Sequence, residues 1–350
     1  MRPSQRIGGS GLDTQKRNVF ILLFALLISC EFVPLALAPE STFSVIWITD
    51  TQYLSQTYPS DFDNTCNWII SNKDTYNIKM VVHTGDIVNT PSDLNQWENA
   101  NHSMGILLDN GIPYCWDAGN HDDQSSWNGM NFKAFNASAM SQRPYWLGDD
   151  SNGRSTAVHF EFGNWNFIVV NLEYEASDPA LSWANSILDS HPNSYAIVAT
   201  HAYLDENCRY HQWSLHLQNT VLNNHPNVFM TLNGHYYSNG NANRTVIGNR
   251  YELFFNYQNL DSERGAATVR ILTFNVLESK VDVKTYKIYS GQFATDSENQ
   301  FTLNIPIGAI PEFPANLLPL VVALIALSSV LLRPRRPIHI QDSQRPPRSQ

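Results

Sequence analysis

The chain has 350 residues, of which 12% are aromatic and only 15% are charged, so its composition excludes a disordered polypeptide and allows one large folded domain. Nine of the 22 Lys and Arg residues lie in the two tails, and residues 39–312 therefore carry 13 basic and 29 acidic side chains, a net charge of −16. A body this acidic repels a polyphosphate backbone, so nucleic acid is not expected as a partner.

The N-terminal segment has the features of an export signal. Two basic residues precede an apolar run at 19–29, and small residues follow near position 38, so residues 1–38 are predicted to be a signal peptide. An uncleaved signal anchor stays open as an alternative. So does a lipid attached to Cys30, because Leu27-Ile28-Ser29-Cys30 resembles a lipobox.

Six short runs rich in Val, Ile and aromatic residues predict β-strands, because they are too short for helices and several are apolar at successive positions. The predicted strands are Ser44–Thr49, Met80–Thr84, Pro113–Trp116, Phe167–Asn171, Ala196–Thr200 and Val228–Leu232. Helical stretches separate them at Asp61–Asn77, Pro91–Asn110, Pro179–Ser190 and His211–Asn223. This alternation predicts an α/β fold.

Two further pairs of strands predict hairpins and therefore a second sheet. Ala157–Phe162 and Trp165–Val170 are joined by Gly163-Asn164, a dipeptide typical of tight turns. Val269–Asn275 and Lys280–Ile288 flank another turn and are expected to close the domain.

The residues that follow the strands point to a metal site. Five of the six predicted strands are followed at once by a potential metal ligand, in segments that end at Asp50, Asp86, Asp122, His201 and His235. Ligands bind at this edge of open α/β sheets. The mixture of carboxylate, imidazole and amide groups suits divalent metal ions.

Taken in order, these segments resemble the calcineurin-like metallophosphoesterases, whose pattern runs D-x-H, G-D, G-N-H-[DE], a lone His and G-H-x-H. The match extends from Asp50 to about Tyr237 and is specific as a set. The resemblance implies an α/β fold with a four-layer α/β/β/α sandwich of two mixed sheets. It also implies an enzyme that hydrolyses phosphate mono- or diesters with water activated by two divalent metal ions, drawn from Mn, Fe, Mg or Zn.

The resemblance assigns a role to most of the strand-end residues. Asp86 would bridge the two ions, and the other ligands of the second ion would be Asn120, His201 and His235. His121 would bind the phosphate and protonate the leaving oxygen, while Asp122 would orient the imidazole of His121.

The first metal site departs from the family pattern at two positions. Gln52 stands where D-x-H has its histidine, and Tyr237 stands where G-H-x-H has its second histidine. The altered set of Asp50, Gln52, Asp86 and Tyr237 offers only oxygen and favours harder ions such as Mn, Mg or ferric iron over Zn. Three interpretations stay open: a dinuclear enzyme with a harder or weaker first ion, a mononuclear enzyme, and a catalytically degenerate protein that binds metal or a phospho-ligand.

The C-terminal segment predicts a membrane anchor. The catalytic domain is expected at 39–308, followed by an anchor at 309–332 in which Phe313–Leu332 is apolar, uncharged and long enough to span a bilayer. Three arginines begin the basic tail at 333–350, which places the tail in the cytoplasm and the domain on the cell surface. The segment Ile310–Pro314 resembles the start of C-terminal anchors in archaeal surface proteins.

Sequons and cysteines bear on the predicted export. The three sequons begin at Asn101, Asn136 and Asn243 and fit a glycosylated surface. Outside the signal region the cysteines are Cys66, Cys115 and Cys208, an odd number that implies no disulfide framework. A Cys66–Cys115 bridge and buried free thiols are both open.

Two other features have competing interpretations. His83 lies inside a predicted strand, which favours a buried core histidine over a metal ligand. The segment Trp127–Tyr145 is rich in aromatic and amide side chains and is either one wall of the substrate site or a surface loop. The expected substrate is a small phosphoester outside the cell.

Overall fold

The computed structural model describes residues 41–305 apart from 124–126, 238–240 and 263. The predicted signal peptide, membrane anchor and basic tail lie outside the described residues, as does Cys30. Among the residues that are described, no helix has the length and apolar character needed to cross a bilayer.

The described residues form two seven-stranded sheets and several helices. In chain order the strands are β1 (Thr42–Ile48), β2 (Ile78–Thr84), β3 (Tyr114–Asp117), β4 (Trp146–Asp149), β5 (Thr156–Phe162), β6 (Trp165–Leu172), β7 (Tyr195–Thr200), β8 (Val228–Asn233), β9 (Ala242–Ile247), β10 (Arg250–Phe255), β11 (Thr268–Asn275), β12 (Lys280–Lys287), β13 (Gln292–Ala294) and β14 (Gln300–Asn304). The α-helices are α1 (Gln52–Gln56), α2 (Pro59–Ser71), α3 (Leu94–Asp109), α4 (Ala137–Met140), α5 (Asp178–Ser190) and α6 (Gln212–Thr220).

Both sheets are mixed, as predicted. The first has the order β13-β12-β11-β1-β2-β3, with β14 also paired to β12, and its strands β1, β2 and β3 run parallel. The second has the order β4-β5-β6-β7-β8-β10-β9, in which β6, β7, β8 and β10 run parallel. The parallel strands of each sheet bring their carboxyl ends to one edge of that sheet.

Side chains along β1 point alternately to the two faces of the first sheet, and this explains how the layers pack. Phe43, Val45 and Trp47 pack into the core between the two sheets, whereas Ile46 and Ile48 face a second core beneath α1, α2 and α3. A third core joins the other face of the second sheet to α5 and α6. The four-layer α/β/β/α sandwich is thereby confirmed.

The six predicted strands and both predicted hairpins are confirmed, with strand ends that differ by one or two residues. Three of the four predicted helices are shorter than predicted, whereas α5 (Asp178–Ser190) begins one residue before the predicted Pro179. Asp93 accepts from the backbone N–H of Asn95 and caps the start of α3, three residues after the predicted start at Pro91. At the other boundary α2 ends at Ser71, and turns follow up to Asn77, which has a φ of 47°.

Cys66 and Cys115 are free and buried, and Cys208 is free and partly buried, so the alternative of a Cys66–Cys115 bridge is not realised. Two sequon asparagines hold local structure. Asn136 caps α4 by accepting from the backbone N–H of Ala139, and Asn101 accepts from the backbone N–H of Ala134.

Candidate metal centre

Four predicted ligands of the second metal position lie together at the edge shared by the two sheets. His201 Nε2 lies 3.1 Å from Asn120 Oδ1, 3.3 Å from Asp86 Oδ1 and 3.0 Å from His235 Nδ1. The ligand atoms of Asp86, His201 and His235 all lie within 4.8 Å of one another. Metal–ligand bonds of about 2.0–2.3 Å place neighbouring donor atoms about 3–4 Å apart, so the donor set fits one divalent cation.

The orientation of His201 joins the two sheets. Its Nδ1 lies 2.8 Å from the backbone carbonyl of Thr84 at the end of β2, although His201 itself follows β7 of the other sheet. A carbonyl oxygen can accept a hydrogen bond but cannot donate one, so Nδ1 carries a proton and Nε2 is left for a metal. The centre therefore spans both sheets.

Three of the strand-end residues have left-handed backbone conformations. The φ angles of Asp50, Asp86 and His235 are 52°, 50° and 71°. This conformation is uncommon for residues with a Cβ and costs of order 1–3 kcal/mol at each position. Strain of this kind clusters at functional sites, and here it turns the chain sharply where each ligand is presented.

Two glycines of the motif allow the ligand loops to approach closely. A Cβ on Gly119 would collide with the backbone nitrogen and Oδ1 of Asp86, and a Cβ on Gly234 would collide with Asp50 Oδ2 and Thr49 Oγ1. Glycine is required at both positions because the neighbouring ligand occupies the space of a side chain.

The first metal position contains buried oxygens that lack partners. Asp50 Oδ2 accepts from Thr49 Oγ1 at 2.6 Å and from the backbone N–H of His235 at 3.1 Å. In contrast, Asp50 Oδ1 and Gln52 Oε1 are buried and have no hydrogen-bond partner in the described part of the chain. Because buried polar atoms are nearly always paired, these two oxygens fit a bound cation.

The acidic side chains around the two metal positions also favour the binding of cations. Burial raises the pKa of Asp50 to about 7, and the negative charge of Asp86 adds to this effect although His201 opposes it. Burial alone would lower the pKa of His201, but the carboxylates of Asp86, Asp50 and Asp117 raise it to about 10. The acidic groups of this cluster therefore favour a positively charged partner.

Tyr237 does not occupy the predicted position in the centre. Its side chain is 50% exposed, and among the described residues no hydrogen bond or ring contact joins it to the other predicted ligands. The ring of the preceding Tyr236 stacks on His211 with centroids 4.8 Å apart and lies edge-on to the His235 ring at 4.5 Å.

Gln258, which was not predicted, contacts Gln52 of the first metal position. It is 2% exposed, and its Oε1 accepts a short hydrogen bond from Gln52 Nε2. Gln258 follows β10, a strand that was not predicted. The available signal was a polar Asn256-Tyr257-Gln258 segment after the apolar Leu253–Phe255, the same kind of strand-end pattern as at the other ligands.

The structure changes the predicted role of Asp122. Its Oδ1 accepts from the backbone N–H groups of Ile87 and Val88 at 2.8 and 2.9 Å, and its Oδ2 accepts from Gly119 at 2.8 Å. It therefore holds two ligand loops together. The imidazole of His121 is oriented instead through Nδ1, which lies 3.1 Å from the backbone carbonyl of Asn89.

A cavity of about 260 Å³ adjoins the centre, and its lining residues are Ala118, Gly119, Asn120, Asp123, Glu173 and Tyr174. The Tyr174 ring lies 5.2 Å from the His235 ring. Glu173 and Tyr174 follow β6, the one of the six predicted strands that had no ligand assigned after it. A larger cavity of about 590 Å³ is lined by none of the predicted site residues. The candidate site is therefore identified by its ligand residues and not by the volume of its cavity.

The segment Trp127–Tyr145 does not line this cavity. Trp127 is 6% exposed and packs edge-on against Trp97 of α3, with ring centroids 5.2 Å apart. Of the two interpretations of this segment, the substrate wall is thus not supported by the described residues, and Trp127 extends the helix-side core.

Two buried titratable residues lie behind the centre. His83 is fully buried with Nε2 2.8 Å from Thr51 Oγ1, which confirms it as a core histidine, and burial lowers its pKa to about 3. Asp117 was not anticipated: it is fully buried, and neither of its oxygens has a hydrogen-bond partner in the described residues. Burial raises the pKa of Asp117 well above its usual range.

The fold and the motif define a metal-centred phosphoesterase class, and comparison with known proteins agrees. The profile of the calcineurin-like phosphoesterases matches residues 43–239, more than half of the chain, and the chain belongs to this family. The uncharacterized protein YvnB of Bacillus subtilis (strain 168) is 34% identical over 168 residues, which are 47% of this chain. The chain spans only 13% of the length of that relative.

The chain was also compared with solved structures. GAP50, described as the anchor in the inner membrane complex of Plasmodium, has a TM-score of 0.51 at 12% identity, with 81% of this chain and 95% of that chain covered. Purple acid phosphatase PPD1 from yellow lupin (Lupinus luteus) has a TM-score of 0.48 at 15% identity, with 77% of this chain and 55% of that chain covered. At these identities the similarity to GAP50 supports the fold alone.

Proposed function

We propose that the chain is a metal-dependent hydrolase of small phosphate esters. The observation that carries the proposal is the convergence of Asp86, Asn120, His201 and His235, whose donor atoms meet around His201 Nε2 within 3.3 Å. Bound divalent ions would supply a hydroxide nucleophile and neutralise the charge that develops on the phosphoryl group.

The contacts of Asp86 support a bridging role. Its Oδ1 faces His201 of the second position, whereas its Oδ2 accepts from Gln52 of the first position at 3.0 Å. One carboxylate therefore reaches both donor sets, while Asp50 serves only the first of them.

His121 is suited to protonate the leaving oxygen. Its imidazole is only partly buried, and the hydrogen bond from the ring to Asn89 fixes its direction. An imidazole can act as a general acid and donate its proton in the reaction.

Small esters fit the site better than polymers. The cavity beside Asn120 has a volume of about 260 Å³, and the carboxyl groups of Asp123 and Glu173 line it. Together with the net charge of −16 between residues 39 and 312, these acids oppose a polyanionic strand.

The activity is tested with the purified full-length chain, p-nitrophenyl phosphate, its bis ester and added Mn. Asn120→Ala and His201→Ala should each abolish turnover, whereas His216→Ala should not, because His216 is an exposed histidine paired with Asp178. Turnover that persists in the metal-free His201→Ala protein would contradict the proposal.

The location at the cell surface is part of the proposal and is supported by sequence alone. The apolar Phe313–Leu332 followed by arginines predicts an anchor with the domain outside, and 1–38 predicts export. Protease added to intact cells should therefore cleave the domain and spare the basic tail. A domain protected in intact cells and cleaved only after lysis would place it inside.

A catalytically degenerate protein is the second candidate, and one contact favours it. The amide nitrogen of Gln52 donates to Asp86 Oδ2, so an N–H group can take the place of the first ion. Elemental analysis separates the two candidates: a chain without bound metal that still binds a phospho-ligand fits the degenerate protein.

A further inference from the structure

We infer that Gln258, and not Tyr237, completes the first metal position together with Asp50, Gln52 and Asp86, as an all-oxygen site for a hard divalent cation such as Mn or Mg. The inference rests on the proposed function, because it concerns the same centre. It gives the role of metal ligand to Gln258, a residue that lies outside every motif identified in the sequence.

The path of β10 explains how Gln258 reaches the centre. β10 runs parallel to β8, the strand that precedes His235, so the carboxyl ends of both strands lie at the same edge. Asn256 then joins the two ends: its Nδ2 donates to the backbone carbonyl of His235 at 3.2 Å, and its Oδ1 accepts from the backbone N–H of Gln258 at 2.9 Å.

The side chain of Gln258 is held inside the donor cluster. Gln52 Nε2 contacts both Gln258 Oε1 and Asp86 Oδ2, and all three side chains are at most 2% exposed. A half-turn of the Gln52 amide exchanges its nitrogen with its oxygen. Oxygens of Gln52, Gln258 and Asp86 would then face one another, and a bound cation would offset their repulsion.

Two buried oxygens of the proposed ligands lack hydrogen-bond partners. Asp50 Oδ1 and Gln52 Oε1 are buried without hydrogen-bond partners among the described residues, whereas the other oxygen of Asp50 accepts two hydrogen bonds. An unpaired buried carboxylate oxygen is costly, and coordination to an ion removes the cost.

The ligand types predict the kind of ion. Carboxylate and carboxamide oxygens are hard ligands that suit Mg, Ca and Mn, whereas imidazole suits Zn. The second position has the imidazoles of His201 and His235, so the two positions of this centre should differ in metal preference.

The experiment measures bound metal and does not depend on turnover. Metal-stripped full-length chain is titrated with Mn and, separately, with Zn by calorimetry, and electron paramagnetic resonance distinguishes single Mn ions from coupled pairs. The unchanged chain should bind two Mn ions as a coupled pair. Gln258→Leu should bind one Mn at the second position, with at least about tenfold weaker binding at the first.

Tyr237→Phe is the matched control and should keep two Mn ions, because Tyr237 is half exposed. Gln258→Glu keeps an oxygen ligand and adds a carboxylate, so its metal-free form should melt at a lower temperature and Mn should raise its melting temperature more than that of the unchanged chain. This variant covers the case in which Gln258→Leu fails to fold.

The outcomes separate this inference from the proposed function. Two Mn ions with unchanged affinity in Gln258→Leu would overturn only the inference. A single Mn in the unchanged chain would also overturn it, because Gln52 and Gln258 would then replace the first ion. No bound metal in the unchanged chain would overturn the proposed function as well.

Discussion

The backbone N–H of His121 donates to Oδ1 of Asp86 over 3.0 Å, so the proposed proton donor is tied to the proposed bridging ligand by the main chain. The imidazole of His121 takes no part in this bond and instead contacts the carbonyl of Asn89. Ligand positioning and proton donation thus reside in different atoms of one residue and can be separated by mutation.

His121→Ala should retain bound metal and lose turnover, because the substitution keeps the backbone N–H and removes the imidazole. We expect kcat to fall roughly 10²–10⁴-fold for alkyl phosphates, whose leaving oxygen needs a proton. The loss should be smaller for p-nitrophenyl phosphate, whose leaving group is stable as an anion. Metal analysis and steady-state kinetics check this expectation, and equal losses on both substrates would argue against proton donation by His121.

Asp122→Asn should destabilise the fold, since one carboxylate accepts three backbone N–H bonds from Ile87, Val88 and Gly119. In the Asn variant one carboxylate oxygen becomes an NH₂ group, which faces a backbone N–H donor and cannot accept from it. We therefore expect the free energy of unfolding to fall by about 2–3 kcal/mol. Urea denaturation measures the change. Asp123→Asn is the control: this partly exposed carboxylate pairs with Arg154, and its loss should cost about 1 kcal/mol or less.

Gly234→Ala should weaken metal binding and lower stability by about 1–3 kcal/mol, because the new Cβ would overlap Asp50 Oδ2 and Thr49 Oγ1. Gly105→Ala offers a matched contrast inside α3, where a Cβ would meet no atom within 4 Å. That change should stabilise the chain by about 0.5–1 kcal/mol. Thermal melting with and without Mn records both effects, and similar responses of the two variants would show that Asp50 tolerates displacement.

Metal uptake should release protons and tighten as pH rises. In the metal-free protein Asp86 and neighbouring carboxylates raise the pKa of His201 to about 10, so below that pH the ring binds a proton that a metal ion must displace from Nε2. Affinity should therefore rise roughly tenfold per pH unit at pH 8. Below about pH 7 the rise should be steeper, because burial also raises the pKa of Asp50 to about 7.

Calorimetry in buffers with different ionisation enthalpies counts the protons released. About one proton per chain is expected at pH 8 and nearer two at pH 6. A pH-independent affinity would mean that His201 is already neutral when the metal arrives.

Much of the fold and of the second metal position could be predicted, because the relevant signals are local. Each buried strand is a short apolar run, and Asp86, Asn120, His201 and His235 directly follow such runs at the edge where parallel strands end. These residues could therefore be identified without knowing which strands are neighbours in the sheets.

Gln258 and Asp117 could not be predicted in the same way, because their surroundings depend on non-local pairing. Gln258 reaches the centre only through the pairing of β10 with β8, and Asp117 ends β3 beside β2. The positions of Asp122 and Tyr237 differ from the sequence interpretation for a related reason: Asp122 accepts from backbone N–H groups, and the Tyr237 side chain is 50% exposed. Adjacency to His121 or His235 in sequence does not determine the direction of a side chain within a turn.

The ligands come from two separate sheets, with Asp50 and Asp86 on one and His201 and His235 on the other. The thickness of the hydrophobic core between those sheets, the apolar filling, therefore sets the distance between the two halves of the centre. Trp47 belongs to this filling: it meets Phe255 edge-on at 5.2 Å, and its indole N–H donates to Thr84. Trimming such a residue would change the distance between the two halves of the centre without removing any ligand side chain.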